Sequence, residues 1–137
     1  MLFRSSSDLG VRCVVVTPEK TELDASCNFV KLPMYDGEIG ILPGRAPMVG
    51  RLGFGLMKLS NTGSEDVWYV DGGFVQVTRE AVYVLTNRLI RPSAIDRAET
   101  EEDLKRATEL SPSTHAAFVQ RERALAQARG KLRSIGS

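Results

Sequence analysis

Up to about residue 90, apolar positions fall in short runs rich in β-branched residues, separated by prolines, glycines and polar pairs. Runs of that length and composition predict strands. Val11 to Pro18, VRCVVVTP, reads as a strand stopped by proline, with Cys13, Val15 and Thr17 on one face and Val14 and Val16 on the other. After the polar pair Glu19-Lys20 a second extended run covers Thr21 to Leu32. Met48 to Leu59 is apolar but interrupted by Gly50, Gly53 and Gly55, which predicts short strands with a bend between them. A turn at Asn61-Thr62-Gly63-Ser64 follows. Val67 to Val70, Phe74 to Thr78 and Ala81 to Thr86 then complete a series spaced at roughly 8–12 residues, the rhythm of a sandwich or barrel. Gly72-Gly73 falls between two of these runs, outside any phosphate-loop pattern, and reads as a turn or bulge. Residues 1 to about 9 are polar and expected to be loosely ordered.

The densest punctuation lies in Leu32 to Pro47, LPMYDGEIGILPGRAP, where Pro33, Pro43 and Pro47 alternate with Gly37, Gly40 and Gly44. Proline fixes φ and glycine permits positive φ, so short extended pieces here must be joined by tightly specified turns. Asp36-Gly37 predicts a type I′ hairpin turn. Beside Asp36 of the turn, Glu38 and Arg45 are the charged residues that stand out on this compact stretch.

At Pro92 the chain changes character, and strong helix formers replace the β-branched residues. Helical period is absent before that point. This sets two domains, a β domain over 1–92 and a helical hairpin over 93–137. Ser93 with Asp96 resembles a capping box, and Asp96, Glu99, Glu101, Glu102 and Asp103 suit the positive end of a helix running to Leu110. Ser111-Pro112-Ser113 breaks it, with Ser111 or Ser113 able to cap a second helix from about 113 to 133. Phe118, Leu125 and Leu132 recur every seven residues with Ala128 between, a narrow apolar seam, while the first helix offers Leu104, Ala107 and Leu110. So little large apolar surface predicts weak docking, because burying one leucine contributes only about 1.5–3 kcal/mol against the entropy of ordering the chain.

Composition narrows the function. With 137 residues and 42% hydrophobic positions the chain can bury one modest core plus an appendage. A net charge of +1 leaves no global field to attract nucleic acid or anionic membrane. No apolar run reaches the roughly 18 residues of a membrane span, and the N-terminus MLFRSSSDLG lacks a secretory core, so a cytoplasm-facing protein is expected. Cys13 and Cys27 sit in predicted strands and read as reduced core residues. His115 has no metal-spaced companion, and no acid/base, nucleophile or metal constellation marks an enzyme. Charge is instead segregated. Five acids of the first helix oppose Arg121, Arg123, Arg129, Lys131 and Arg133 of the second, so the folded hairpin can neutralise itself and an opened one would present a basic face.

TPEKTELDA, GEIGILPGRAPMV, GFGLMKL, VDGGFVQVTREAVYVLTN and a helical segment opening AID, taken together from Val11 to Ile135, resemble the epsilon subunit of F-type ATP synthases. The resemblance implies a ten-stranded β-sandwich followed by two helices, a non-catalytic stalk subunit without cofactor, and peripheral attachment to a membrane through its complex. It implies a sandwich bound to the gamma subunit and to the c-ring, and helices able to extend into the alpha/beta hexamer and restrain ATP hydrolysis. Glu38, Gly44 and Arg45 match the c-ring-facing region; many members have histidine where Arg45 stands, and a guanidinium keeps its charge at every physiological pH. Arg121, Arg123, Arg129, Lys131 and Arg133 match the region that meets acidic residues of the beta subunit.

Some members hold ATP through an I-D-x-x-R-A motif. Ile95-Asp96 fits it, which leaves Asp96 as the nucleotide-contacting candidate, but Glu99 and Thr100 occupy the arginine and alanine positions. A glutamate there repels phosphate, so weak or absent ATP binding is expected. The rival reading is a nucleotide-sensing module whose hairpin closes on ATP. Lack of a transit segment points to the cytoplasmic face of a bacterial plasma membrane rather than a thylakoid.

Overall fold

The computed structural model describes residues 10–135. Strands occupy the chain as far as Ile90: β1 Val11–Val16, β2 Thr21–Cys27, β3 Phe29–Met34, β4 Gly37–Ile41, β5 Met48–Asn61, β6 Ser64–Val77, β7 Val82–Leu85 and β8 Leu89–Ile90. A 3-10 turn at Pro92–Ala94 leads into α1, Arg97–Glu109, and α2, His115–Ile135. Among the described residues there are therefore eight strands, fewer than the ten expected. They form one hydrogen-bonded sheet in the order β2-β1-β7-β6-β5-β3-β4, with β8 against β6. All pairings are antiparallel except β1 with β7. The sheet folds over on itself, so that β1 meets β3 and β2 meets β5 across a core of Val15, Val30, Leu32, Met57, Val70, Val75 and Val84. That core makes the β portion a sandwich.

The centre of the sandwich departs from the expected pattern. The run from Met48 to Leu59 lies within one strand of 14 residues, Met48–Asn61, and the two runs flanking Gly72-Gly73 likewise lie within one strand of 14. These two strands pair from Met48↔Val77 to Asn61↔Ser64. The glycines do not break them; they let the two strands coil together from one layer to the other. Along β5 the buried set shifts from Leu52 to Met57 and Leu59, and along β6 from Val70 to Val75 and Val77, so strict alternation is interrupted at the glycines of both strands. Gly73, at φ +114, lies where a Cβ would stand 1.9 Å from the Leu85 carbonyl oxygen, and a Cβ on Gly53 would be 2.8 Å from that of Met34. Both strands need glycine because other backbone passes too close for a side chain.

Local chemistry also corrects the turns and caps. Met34 pairs with Gly37, so the hairpin turn is Tyr35-Asp36; no non-glycine residue among those described has positive φ, which excludes type I′. Leu42-Pro43-Gly44-Arg45 closes with Arg45 N–H donating to the Leu42 carbonyl (3.2 Å), with Gly44 at φ +80 after proline, the signature of a type II turn. Asp96, not Ser93, caps α1, its carboxylate accepting from Glu99 N–H at 3.0 Å. Thr114, not Ser111 or Ser113, caps α2, accepting from Ala117 N–H at 3.0 Å. In both cases the residue with the right spacing to N3 wins.

Arg91, just before Pro92, pins the junction to β6. Its guanidinium lies 3.6 Å over the Trp68 ring, donates to Asp66 Oδ1 (2.5 Å) and to the Val67 carbonyl (3.1 Å), and Trp68 Nε1 donates to Asp66 Oδ2 (3.0 Å). Partial burial pushes the Asp66 carboxyl up, but the hydrogen bonds from Arg91 and Trp68 outweigh it and hold Asp66 below the usual carboxylate range. Cys13 and Cys27 are free and buried, as expected of core packing, and burial pushes the Cys13 thiol up to about 12.

Candidate functional site

Three surfaces carry the residues in question: the outer face of the sheet, the β3–β4 edge, and the junction between sandwich and hairpin. On the outer face a row runs across adjacent strands. Tyr35 N–H donates to the Arg51 carbonyl (2.9 Å), Arg51 pairs with Phe74, Phe74 with Leu85, and Leu85 with Val16. The row is uncovered: Phe74 is 58% and Tyr35 67% exposed, and Val49, two residues before Arg51, is 74% exposed. The Arg51 guanidinium stacks 4.2 Å over the Tyr35 ring. An open groove of about 820 Å³ runs along the row to Arg123 of α2; two arginines line it and no acidic residue does. Sequence reading missed this row, because alternation alone does not reveal which outward positions of a sheet go uncovered.

At the edge, the residues matched to the c-ring region do not form one cluster. Glu38 on β4 pairs with Lys31 on β3 at 3.3 Å. Arg45 lies in the loop after β4 and donates from Nη1 to the Gly40 carbonyl (2.7 Å), while Gly44 is exposed at the type II turn. Beside them Leu42 stands 59% exposed. The loop is thus rigidly shaped and presents mixed apolar and charged groups outward.

The hairpin attaches through α2, which contacts β5, β6, the 3-10 turn and α1. At about 100° per residue, Arg123, Gln127, Gly130 and Ser134 share one face, and Arg121, Leu125, Ala128 and Leu132 the opposite one. The first face meets the sheet. Arg123 lies over the Phe54 ring at 5.3 Å, Gly130 abuts the Phe54 backbone, and Gln127 Nε2 donates to Asp71 Oδ1 at 2.8 Å. The second face turns toward α1, where Arg121 Nε donates to the Leu110 carbonyl at 3.1 Å and Leu125 and Ala128 are buried. The apolar seam therefore joins the helices to each other, and Phe118 at its far end is 48% exposed instead of buried.

The charged pairs differ from the expected cross-hairpin neutralisation. Arg106 pairs with Asp103 within α1, and Arg121 with Glu122 within α2. Nor do the five cations make one basic face: Arg121 is half-buried toward α1, Arg123 is stacked on the sheet, and Arg129 and Arg133 are exposed. Asp96, the nucleotide candidate, is engaged as the α1 cap. His115 is the exposed first residue of α2. Among the described residues no group of three or more His, Cys, Asp or Glu could hold a metal, and no helix is long and apolar enough to cross a membrane.

A family model described as ATP synthase, Delta/Epsilon chain, beta-sandwich domain matches residues 10–92. The chain is also 45% identical over 126 residues to the ATP synthase epsilon chain of Rhodopirellula baltica, an alignment covering 92% of this chain and 98% of that one. The chain belongs to the epsilon chain family of ATP synthases. Another epsilon chain, from Desulforudis audaxviator, is 38% identical over 93 residues, 68% of either chain. Among solved structures, a chain of the Euglena gracilis mitochondrial ATP synthase, OSCP/F1/c-ring in rotational state 1, matches with TM-score 0.80 at 21% identity, covering 93% of this chain and 82% of that one. A chain of the Tetrahymena thermophila mitochondrial ATP synthase central stalk/c-ring matches with TM-score 0.69 at 16% identity, covering 92% and 96%. At these identities the two structures speak for the fold alone, a β-sandwich followed by two helices.

Proposed function

We propose that this chain is the non-catalytic epsilon subunit of a proton-translocating F-type ATP synthase, seated on the central stalk. In this role it couples rotation of the c-ring to the gamma subunit and restrains ATP hydrolysis through its hairpin. The observation that carries the reading is the division of labour in the fold. The sandwich is stiff, coiled through its two 14-residue strands, and leaves the apolar row of Tyr35, Val49, Phe74 and Leu85 open for a partner. The hairpin meets that body mainly through α2, against β5 and β6.

The open row is the seat for gamma, since exposed apolar groups flanked by arginines make a desolvated anchor with a charged rim. The Leu42 to Arg45 turn, with Glu38 on the adjoining strand, faces the polar loops of the c-ring. Arg121, Arg123, Arg129, Lys131 and Arg133 meet acidic residues of the beta subunit once α2 leaves the sheet, which frees Arg123 from Phe54, while Arg121 is freed only if α2 also parts from the Leu110 end of α1. Attachment to the membrane is peripheral, through the complex, on the cytoplasmic face of a bacterial plasma membrane.

Co-purification with alpha, beta and gamma tests the assembly, and truncation after Ile95 tests the regulation. That cut keeps β8 and Arg91 in place, so gamma binding should persist while hydrolysis by the assembled enzyme rises. Loss of gamma binding by the intact chain would sink the proposal; unchanged hydrolysis would leave the coupling role alone.

A further inference from the structure

The hairpin meets the sandwich at a buried carboxylate. Asp71 is 4% exposed, and its Oδ1 accepts from two neutral donors, the Tyr69 hydroxyl on the same strand (3.1 Å) and Gln127 Nε2 on α2 (2.8 Å). Its backbone N–H donates to Thr86 Oγ1 (2.9 Å), and Thr86 N–H donates in turn to the Val16 carbonyl (3.1 Å), so the sheet holds Asp71 from β6, from the chain beyond β7 and from β1. Burial, and then the Asp71 charge, push the Tyr69 phenol above its ordinary value, keeping that hydroxyl a donor. The sheet side is thus fully built without the helix. The helix contributes the Gln127 hydrogen bond, and the charge of its Arg133 reaches Tyr69 beside it.

Around this point α2 offers the sheet little apolar surface: Arg123, Gln127, Gly130 and Ser134 face it, while Leu125 and Ala128 are buried toward α1. We infer that the Gln127–Asp71 hydrogen bond is the latch that holds the hairpin on the sandwich, and that Gln127 and Asp71 are positioning residues for the docked state. A donor to a buried carboxylate is costly to delete while the carboxylate stays covered, but when the whole helix leaves, water replaces it. The docked and released states therefore lie close in free energy, and the α1–α2 unit can leave intact because its apolar seam is internal. For its consequence in the assembled enzyme this inference rests on the regulatory role proposed above; the latch itself is a property of the isolated chain.

Amide hydrogen exchange on the full-length chain tests it with Gln127→Glu and Gln127→Met. Methionine keeps the shape and removes the donor, and glutamate adds a second carboxylate beside the first. Exchange across 115–135 should rise about tenfold or more in the methionine variant and further in the glutamate one, with β5 and β6 unchanged. Asp71→Asn combined with Gln127→Glu reverses donor and acceptor and should return protection to within about threefold of the parent. Both single variants within about twofold of the parent, or glutamate no worse than methionine, would overturn the latch. A folded double variant that stays as open as the glutamate single would do the same. If the double variant does not fold, the order of glutamate against methionine decides. Hydrolysis assays on the assembled enzyme are read separately: a latch that opens as expected without changing hydrolysis would overturn the regulatory role and leave the latch standing.

Discussion

Gly130 of α2 and Phe54 of β5 touch backbone to backbone: a Cβ added at Gly130 would stand 2.5 Å from the Phe54 carbonyl oxygen and 2.7 Å from its Cβ. Alanine is worth about 1 kcal/mol over glycine in a helix interior. Here that gain is opposed by backbone that cannot move aside. We expect Gly130→Ala to lift α2 off the sheet, so that trypsin cuts at Arg123 and Arg129 faster while the sandwich keeps its melting temperature. A Gly130→Ala chain that melts higher with its hairpin still protected would disprove the close approach.

Gly73 sets a harder constraint. Its φ of +114 is strained for an L residue, and a Cβ would lie 1.9 Å from the Leu85 carbonyl oxygen, so β6 and β7 cannot stay paired around it. Gly73→Ala should cost about 3 kcal/mol or more by urea denaturation. Gly63→Ala, at φ +78 with open space around it, should cost only about 1 kcal/mol.

The Asp66–Arg91–Trp68 cluster gives stability a pH dependence. Asp66 is depressed below its free value of 3.8, so its contribution is present above that value and is lost as pH falls through the lower folded one. Both partners are about half exposed, which keeps the effect small and salt-sensitive. Arg91→Ala should flatten the acid limb of the stability curve below about pH 4, measured by thermal melts across pH. An unchanged limb would show that the pair does not couple to folding.

Phe74→Glu and Leu85→Glu place a charge on the open row without touching the core. Circular dichroism should stay that of the parent, and affinity for gamma should fall by about thirtyfold or more, as for a central anchor residue. Undiminished binding in both variants would move the gamma site off this face.

Calorimetry of the chain with ATP should show no micromolar binding, since Asp96 is engaged at the α1 cap, accepting from the Glu99 N–H, and the Glu99 carboxylate on that first turn would repel phosphate. Asp96→Ala should lower the stability of α1 by about 1 kcal/mol through the lost cap. A micromolar dissociation constant would revive the nucleotide-sensing alternative.

The change from strands to helices, the strand-rich front, the two helices and the reduced cysteines were legible along the chain, because each rests on local propensity or on a composition shift that neighbours in sequence carry by themselves. The glycines of 50–55 and 72–73 were visible but misread as breaks. A gap in a hydrophobic run looks the same whether the chain turns there or other backbone crosses it.

Tertiary structure alone decided which faces met. The period of Leu125, Ala128 and Leu132 marks an apolar stripe, yet nothing local says that the stripe seals the helix pair while a polar, glycine-bearing face lies on the sheet. Asp71 and Gln127 are 56 residues apart. Their hydrogen bond exists because the coiling of β5 and β6 turns Tyr69 and Asp71 outward beneath α2, a consequence of packing that no short-range pattern encodes.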